Sequence, residues 1–553
     1  MRIKTVSGLK KVFLDEDIVE KKQLLRGSCL KNECYHYEVL FDVEEVVEYR
    51  IPALLKVVSP ISDCVKVRRL NHVPVQMAAF GTLKDEHYLR TKPGLYPDIL
   101  QDIDFNAPLS LTNTLQTLYV EIDPEGKYEA GEYPIRIEFY DFNNKDNLLG
   151  ASEFTLEIID AFLPEQDIIC DQWFYCDCLQ DYYDTEMFDE KHWKIIENFM
   201  KTAVKRGLNI ILTPVFTPPL DTYVGGERPT TQLVDVTVEN GKYTFGFDKL
   251  KRWVELCNKV GFKYFEISHL FTQWGVEFCP KVMATVDGEY KKIFGWETSA
   301  TSKEYTEFLQ SFMPEFIDFM KSMDNADKRC YFHISDEPRP WHIENYLAAK
   351  GIVKEYLKDY KIMDAMSSYE LYTSGAVDMP VPGNDFIDPF LENKVEGLWT
   401  YYCCSECVDV SNRFISMPLS RTRILGTQMY KFGIVGFLHW GYNYYNNQNS
   451  YGSVNPFLCT DGDYFGQAGD AFSVYPGKFG QPIESVRLVT FHEAIQDNRA
   501  LKLCESLIGR EKTLELLGDG KDMTFKEYPR EESYLLEMRE RINKAIKQAV
   551  SKK

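Results

Sequence analysis

Two hydrophobic rhythms divide the chain. In the first part apolar and polar residues alternate with a period of two, as in Tyr37-Glu38-Val39-Leu40-Phe41-Asp42-Val43, in 115–122, in 133–140 and in Glu153-Phe154-Thr155-Leu156-Glu157-Ile158-Ile159. Turn clusters such as Asp123-Pro124-Glu125-Gly126 and Asn143-Asn144-Lys145-Asp146 separate them. Short alternating strands at this spacing predict a β-sandwich over 1–164.

From 165 onward apolar strands alternate with helical segments. The strands are read at 168–174, 208–213, 264–268, 330–335 and 361–366, near 379–381, and at 397–401 and 433–440. Helices are read at 188–206, where Trp193, Ile196, Phe199 and Met200 fall at helical spacing and Gly207 supplies a C-cap, and at 248–260 and 302–323. About eight strand–helix units is the number that closes a (β/α)8 TIM-type barrel, placed at 165–510. A charged amphipathic helix at 532–549 ends a C-terminal helical segment, 511–553. The expected fold is therefore multidomain, all-β plus α/β.

A parallel barrel carries its active site at the C-terminal ends of its strands. Those ends hold Asp177 and Cys178, His269, the pair Asp336-Glu337, Tyr401 and Cys403, and Trp440 with Asn443. Carboxylates, a histidine, an amide and flat aromatic faces suit a sugar, whose hydroxyls take hydrogen bonds and whose ring stacks. His269 is read either as a substrate contact or as a structural hydrogen-bonder, Asp177 either as a contact or as a cap, and Trp440 as sugar platform or core.

Asp336-Glu337-Pro338 carries the most chemistry. Adjacent residues at a strand end point in different directions, so one carboxyl can serve as general acid while the other stays ionised. Most glycosidases place two carboxylates across the sugar from each other; adjacent ones suit the exception in which the substrate's own 2-acetamido group is the nucleophile. An Asp-Glu-Pro step is also common at turns and helix starts, where acids favour the dipole.

Composition narrows the partners. With 63 basic and 84 acidic residues the net charge is -21, which repels phosphate backbones and argues against nucleic acid. No apolar run is long enough for a membrane helix, and Met1-Arg2-Ile3-Lys4-Thr5-Val6 lacks a secretory apolar stretch, so a cytoplasmic location is expected. Fourteen scattered cysteines then read as reduced thiols. Cys176-Asp177-Cys178 and Cys404-Ser405-Glu406-Cys407 lack the paired spacings of a zinc site, and neither metal nor cofactor is expected. No phosphate loop, dinucleotide fingerprint or Gly-x-Ser-x-Gly elbow is present, which lowers kinase, dehydrogenase and esterase readings.

At His333-Ile334-Ser335-Asp336-Glu337-Pro338 the chain resembles glycoside hydrolase family 123 and the related domain of unknown function 4091. Pro93-Gly94-Leu95-Tyr96-Pro97-Asp98, Trp173-Phe174-Tyr175-Cys176-Asp177-Cys178, Trp399-Thr400-Tyr401-Tyr402-Cys403-Cys404, the run 436–445, Gly469-Asp470-Ala471-Phe472-Ser473-Val474-Tyr475-Pro476-Gly477 and Ser485-Val486-Arg487-Leu488 extend the likeness along nearly the whole chain. Phe491-His492-Glu493-Ala494 and the His439 before Trp440 depart from the family's pattern. The resemblance implies a retaining hydrolase of β-linked N-acetylgalactosamine in an oligosaccharide or glycoconjugate. Glu337 is then acid/base, Asp336 orients the acetamido group, Tyr401 is an acetamide partner and Trp440 a sugar platform. Two alternatives stay open: a non-catalytic carbohydrate-binding barrel, and a glycosidase acting on a sugar without an acetamido group.

Overall fold

A computed structural model describes residues 1–44, 50–81 and 85–552. The chain is mixed α/β, with a β-rich N-terminal region and helices concentrated in the C-terminal part.

The N-terminal region forms two five-stranded sheets. One runs in the order Arg2–Ser7, Tyr35–Asp42, Gln116–Ile122, Val65–Val75, Gly94–Asp102; the other runs Arg26–Leu30, Leu148–Ile159, Gly131–Asp141, Ile51–Val58, Leu109–Leu111. All pairings are antiparallel except that of Arg26–Leu30 with Leu148–Ile159. Alternation decides which face is buried: Ile135, Ile137 and Phe139 of one sheet meet Leu118, Val120 and Ile122 of the other in a shared core. The strand Gln116–Ile122 is buried on both faces. Its second face carries Tyr119, which packs with Ile424, Val489 and Leu501 of the C-terminal helices. That contact also explains why Glu121, on the same face, is buried.

In the second part eight short strands run parallel: Ile169–Cys170, Ile210–Thr213, Tyr264–Ile267, Cys330–Phe332, Lys361–Met366, Met379–Pro382, Trp399–Tyr401 and Gly436–Leu438. The second to sixth form one sheet in chain order; the first, eighth and seventh form another. A parallel bridge between Gly383 and Tyr401 joins the sixth strand to the seventh, and Asn209 N donates to Cys170 O at 3.2 Å beside the first and second. The expected strand at 168–174 is regular over two residues, although Asp171 and Trp173 continue to bond Phe437 and His439 through the main chain.

The helices at Glu190–Lys205, Asp248–Val260 and Lys303–Ser322 lie within the expected ranges. Asp189 and Ser302 cap two of them by accepting from His192 N and Tyr305 N, and Gly261, at φ 115°, ends the helix Asp248–Val260. The last helix, Glu532–Val550, lays Leu535, Met538, Ile542 and Ile546 into the core shared with the helix Val486–Ile508.

Sequence patterning did not anticipate a four-stranded sheet at 235–294, built from the segments that follow the second and third parallel strands. Pairing of Asp235–Glu239 with Val282–Val286 ties those two excursions together.

Buried charge joins the two parts. Arg206 and Arg68 both reach Glu121, at 2.7 Å and 2.6 Å, and both also contact Glu484. Arg487 holds Asp98 with two bonds, at 2.7 and 2.9 Å, and donates to the Gly469 carbonyl at 2.6 Å. Three of the sequence motifs noted above therefore meet at this junction.

Candidate active site

A cavity opens at the C-terminal ends of the parallel strands. Trp173, Tyr175, Asp221, Gln273, Trp274, Asp336, Glu337, Tyr401, Cys403, Cys404, Trp440 and Phe465 are among its walls.

The fourth strand ends at Phe332, and the next residues turn sharply. Ser335 Oγ donates to the Thr272 carbonyl at 2.9 Å, and Trp274 N donates to the Asp336 carbonyl at 3.1 Å. Glu337 then takes a left-handed backbone, φ 45°. Such a conformation costs a residue with a Cβ about 1–3 kcal/mol and persists where surrounding contacts impose it. The turn separates the two carboxyl groups. Glu337 Oε1 accepts from the Tyr401 hydroxyl at 3.1 Å, whereas the Asp336 carboxyl makes no hydrogen bond among the described residues. Burial, then the neighbouring Glu337 charge, push the Asp336 pKa well above the usual carboxylate range.

A buried polar chain underlies Asp336. His333 places Nδ1 at 3.2 Å from Asp364 Oδ1 and Nε2 against Glu266 Oε1. A ring with a carboxylate at each nitrogen donates twice and is therefore an imidazolium. Burial opposes that charge, but Glu266 and Asp364 outweigh it and lift the pKa to about 10. Asp364 also accepts from the Tyr346 hydroxyl and Ser335 N, and Glu266 from Trp173 Nε1 at 2.8 Å. Asp171, sealed beside Glu266, is driven well upward by burial and by the Glu266 charge, which leaves it to hold the proton of that pair.

The residues singled out from sequence fall into two groups. Asp336, Glu337, Tyr401 and Trp440 line the cavity. Trp440 is fixed by donating Nε1 to Asp470 Oδ2 at 2.9 Å and by packing against Phe465 and Tyr444. Asp177, His269 and Asn443 lie behind the walls. Asp177 is paired with Arg228, whose guanidinium sits over the Tyr175 and Tyr444 rings. The Asn443 amide spends both its groups on the Tyr175 main chain, each at 2.9 Å. The His269 ring stacks on His333 with centroids 4.2 Å apart, and burial keeps it neutral. These three shape Trp173 and Tyr175 rather than the open space.

Asp221 and Gln273 were not singled out by sequence. Asp221 sits in a long irregular segment after the second strand, where no periodicity marks it. Of the thiols, Cys403 and Cys404 line the cavity, while Cys176 and Cys178 are buried. The group of potential ligands close enough to share a metal among the described residues is Cys34, Glu121 and Asp123, and its Glu121 is already paired with two arginines. No helix among the described residues is long and apolar enough to cross a membrane.

The sequence model of the glycoside hydrolase 123 catalytic domain matches residues 173–504, a span that contains every cavity residue named above. Among solved structures, a family 123 glycoside hydrolase from Clostridium perfringens, studied for glycolipid glycan hydrolysis, is similar over 100% of this chain and 99% of its own, at 15% identity and a TM-score of 0.75. A β-glucuronidase from Ruminococcus gnavus aligns over 83% of this chain and 66% of its own, at 10% identity and a TM-score of 0.30, too low to bear on the fold. No curated protein matches.

Proposed function

Because the chain belongs to glycoside hydrolase family 123, and is therefore a glycoside hydrolase, we propose that it releases β-linked N-acetylgalactosamine from glycans, with retention, by substrate-assisted catalysis. The observation that carries the reading is the asymmetry of the adjacent carboxyls: Glu337 is held by Tyr401, and Asp336 lines the cavity without a hydrogen-bond partner among the described residues. An unpartnered buried carboxyl awaits a donor, and the acetamido N–H of a bound sugar supplies one.

In the first step the acetamido carbonyl oxygen attacks C1, the C1–aglycone bond breaks, and Glu337 gives its proton to the leaving oxygen. Asp336, ionised, holds the N–H of the resulting oxazolinium ion and offsets its charge. In the second step Glu337 takes a proton from water, the water oxygen bonds to C1, and the oxazolinium ring opens. Trp440 is the ring platform and Tyr401 positions Glu337. Asp177, His269 and Asn443 support this pocket from behind. The glycan is an oligosaccharide or a lipid-linked glycan, the class on which the Clostridium perfringens enzyme acts. No cofactor enters either step.

In the same reading the eight parallel strands close as a (β/α)8 barrel over 165–510, the two N-terminal sheets form a β-sandwich over 1–164, and 511–553 is a helical appendix. The deciding experiment is hydrolysis of an aryl N-acetyl-β-galactosaminide by wild type and Glu337→Gln, with the glucosaminide and plain β-galactoside in parallel. Turnover confined to acetamido sugars and abolished in the folded variant supports the proposal. Equal turnover of the plain galactoside overturns the acetamido mechanism.

A further inference from the structure

One buried carboxylate in the cavity has no part in the chemistry above. Asp221 is 6% exposed, forms no ion pair among the described residues, and holds a left-handed backbone, φ 41°. The nearby cation, Arg228, is committed to Asp177. Three contacts fix Asp221. The Tyr444 hydroxyl donates to Oδ2, Ser450 Oγ donates to the Asp221 carbonyl at 2.7 Å, and Asp221 N donates to Gln273 Oε1. Burial raises the pKa of this carboxyl, and Tyr444, Arg228 and the Asn449 main chain offset it in part. A carboxyl buried without an ion pair and a strained backbone are both costly.

Its place in the cavity follows from its partners. Gln273 takes the Asp221 N–H, and the next residue, Trp274, donates its N–H to the Asp336 carbonyl. Asp221 and Asp336 are thus laced to successive residues of one loop, and both line the cavity. With Glu337 at C1 and Asp336 at the C2 acetamido group, the opposite edge of the ring carries the C4 hydroxyl and the C6 hydroxymethyl.

We propose that Asp221 is the carboxylate that accepts hydrogen bonds from the C4 and C6 hydroxyls of the bound sugar, and that it thereby selects the configuration at C4. The assignment rests on the reading that Asp336 faces C2. It adds a residue that determines specificity and takes no part in proton transfer.

The test compares wild type, Asp221→Asn and Asp221→Ala on an aryl N-acetyl-β-galactosaminide and on its 4-deoxy and 6-deoxy analogues. The Asn variant keeps the shape and a Tyr444 contact, so a folding failure of the Ala variant leaves the experiment intact. Both variants are expected to lose roughly ten- to a hundredfold in kcat/KM on the parent sugar, the size of a hydrogen bond to a charged group. On the analogue that lacks the bonded hydroxyl, wild type and variant converge. A loss of the same factor on all three substrates, or no loss, overturns the assignment. Calorimetric binding of free N-acetylgalactosamine, which needs no turnover, separates the two readings. Weaker binding by Asp221→Asn but not by Glu337→Gln supports Asp221 even where hydrolysis is absent and the catalytic reading fails. Unchanged binding overturns Asp221 while leaving the hydrolase reading in place.

Discussion

The Tyr401 hydroxyl, at the end of the seventh parallel strand, donates to Glu337 Oε1 at 3.1 Å, at the end of the fourth. Burial, then the Glu337 charge, raise the Tyr401 pKa well above its ordinary value, so the phenol remains a donor throughout the neutral range. Removing it as Tyr401→Phe leaves Glu337 free to turn. The expected outcome is a drop in kcat of about 10- to 100-fold, the equivalent of one hydrogen bond to a charged group, with KM little changed. Steady-state kinetics decide it; a change confined to KM counts against the positioning role.

Asp336 titrates above its ordinary value, through burial and then Glu337. Because the proposed mechanism needs it ionised, activity is expected to fall on the acid side at a higher pH than an ordinary carboxylate gives. Stability moves the opposite way. The folded state keeps its proton above the ordinary value of 3.8 while the unfolded chain has lost it, so the wild type loses stability as pH rises from there to the folded pKa. Asp336→Asn removes that penalty. Its melting temperature is expected to exceed wild type's at neutral pH, with the gap closing below about pH 4, while turnover is lost.

Glu337 stores backbone strain at φ 45°. Glycine adopts that conformation freely, so Glu337→Gly is expected to abolish hydrolysis without lowering the unfolding free energy, and to raise it by about 1 kcal/mol where the lost Tyr401 contact is small. Urea melts of the variant against Glu337→Gln, which keeps the strain, measure the difference. A Gly variant less stable than the Gln variant contradicts it.

His333 is a cation between Glu266 and Asp364, with its pKa raised from 6.5 to about 10. A raised histidine stabilises the fold fully below its unfolded pKa, and that contribution is lost as pH rises through the folded value. His333→Gln leaves two buried carboxylates without their cation, at a cost of about 3–5 kcal/mol. The gap between wild type and variant is expected to be widest below pH 6.5 and to narrow toward pH 10. A gap independent of pH would mean that His333 is neutral in the fold.

The sequence made some features legible because a single local period encodes them. The helices at 188–206, 248–260 and 302–323 each show one apolar face, and the structure places them there within two residues. Asp336 and Glu337 were legible because an apolar strand leads straight into a charged pair. The strands Ile51–Val58 and Val65–Val75 were not, since turns and charged residues break their alternation. Nor was the sheet over 235–294, whose pairing brings together segments from two different excursions. Asp221 escaped notice because its role depends on Gln273, 52 positions away. Asp177, His269 and Asn443 have the right residue types at the right strand ends, but their directions depend on Arg228, His333 and Tyr175, which no local pattern reports.

Arg487 grips Asp98 with one end of its guanidinium and the Gly469 carbonyl with the other, and the neighbouring Asp470 anchors Trp440. The wall of the cavity is thus referenced, through three residues, to a carboxylate in the N-terminal sheets. Such wiring limits how the family's parts can be exchanged. A C-terminal part transplanted onto a foreign β-region would keep the residues that line the cavity, yet Trp440 would lose its link to Asp98. Natural or engineered chimeras that preserve Asp98 and Arg487 together are the ones expected to remain competent.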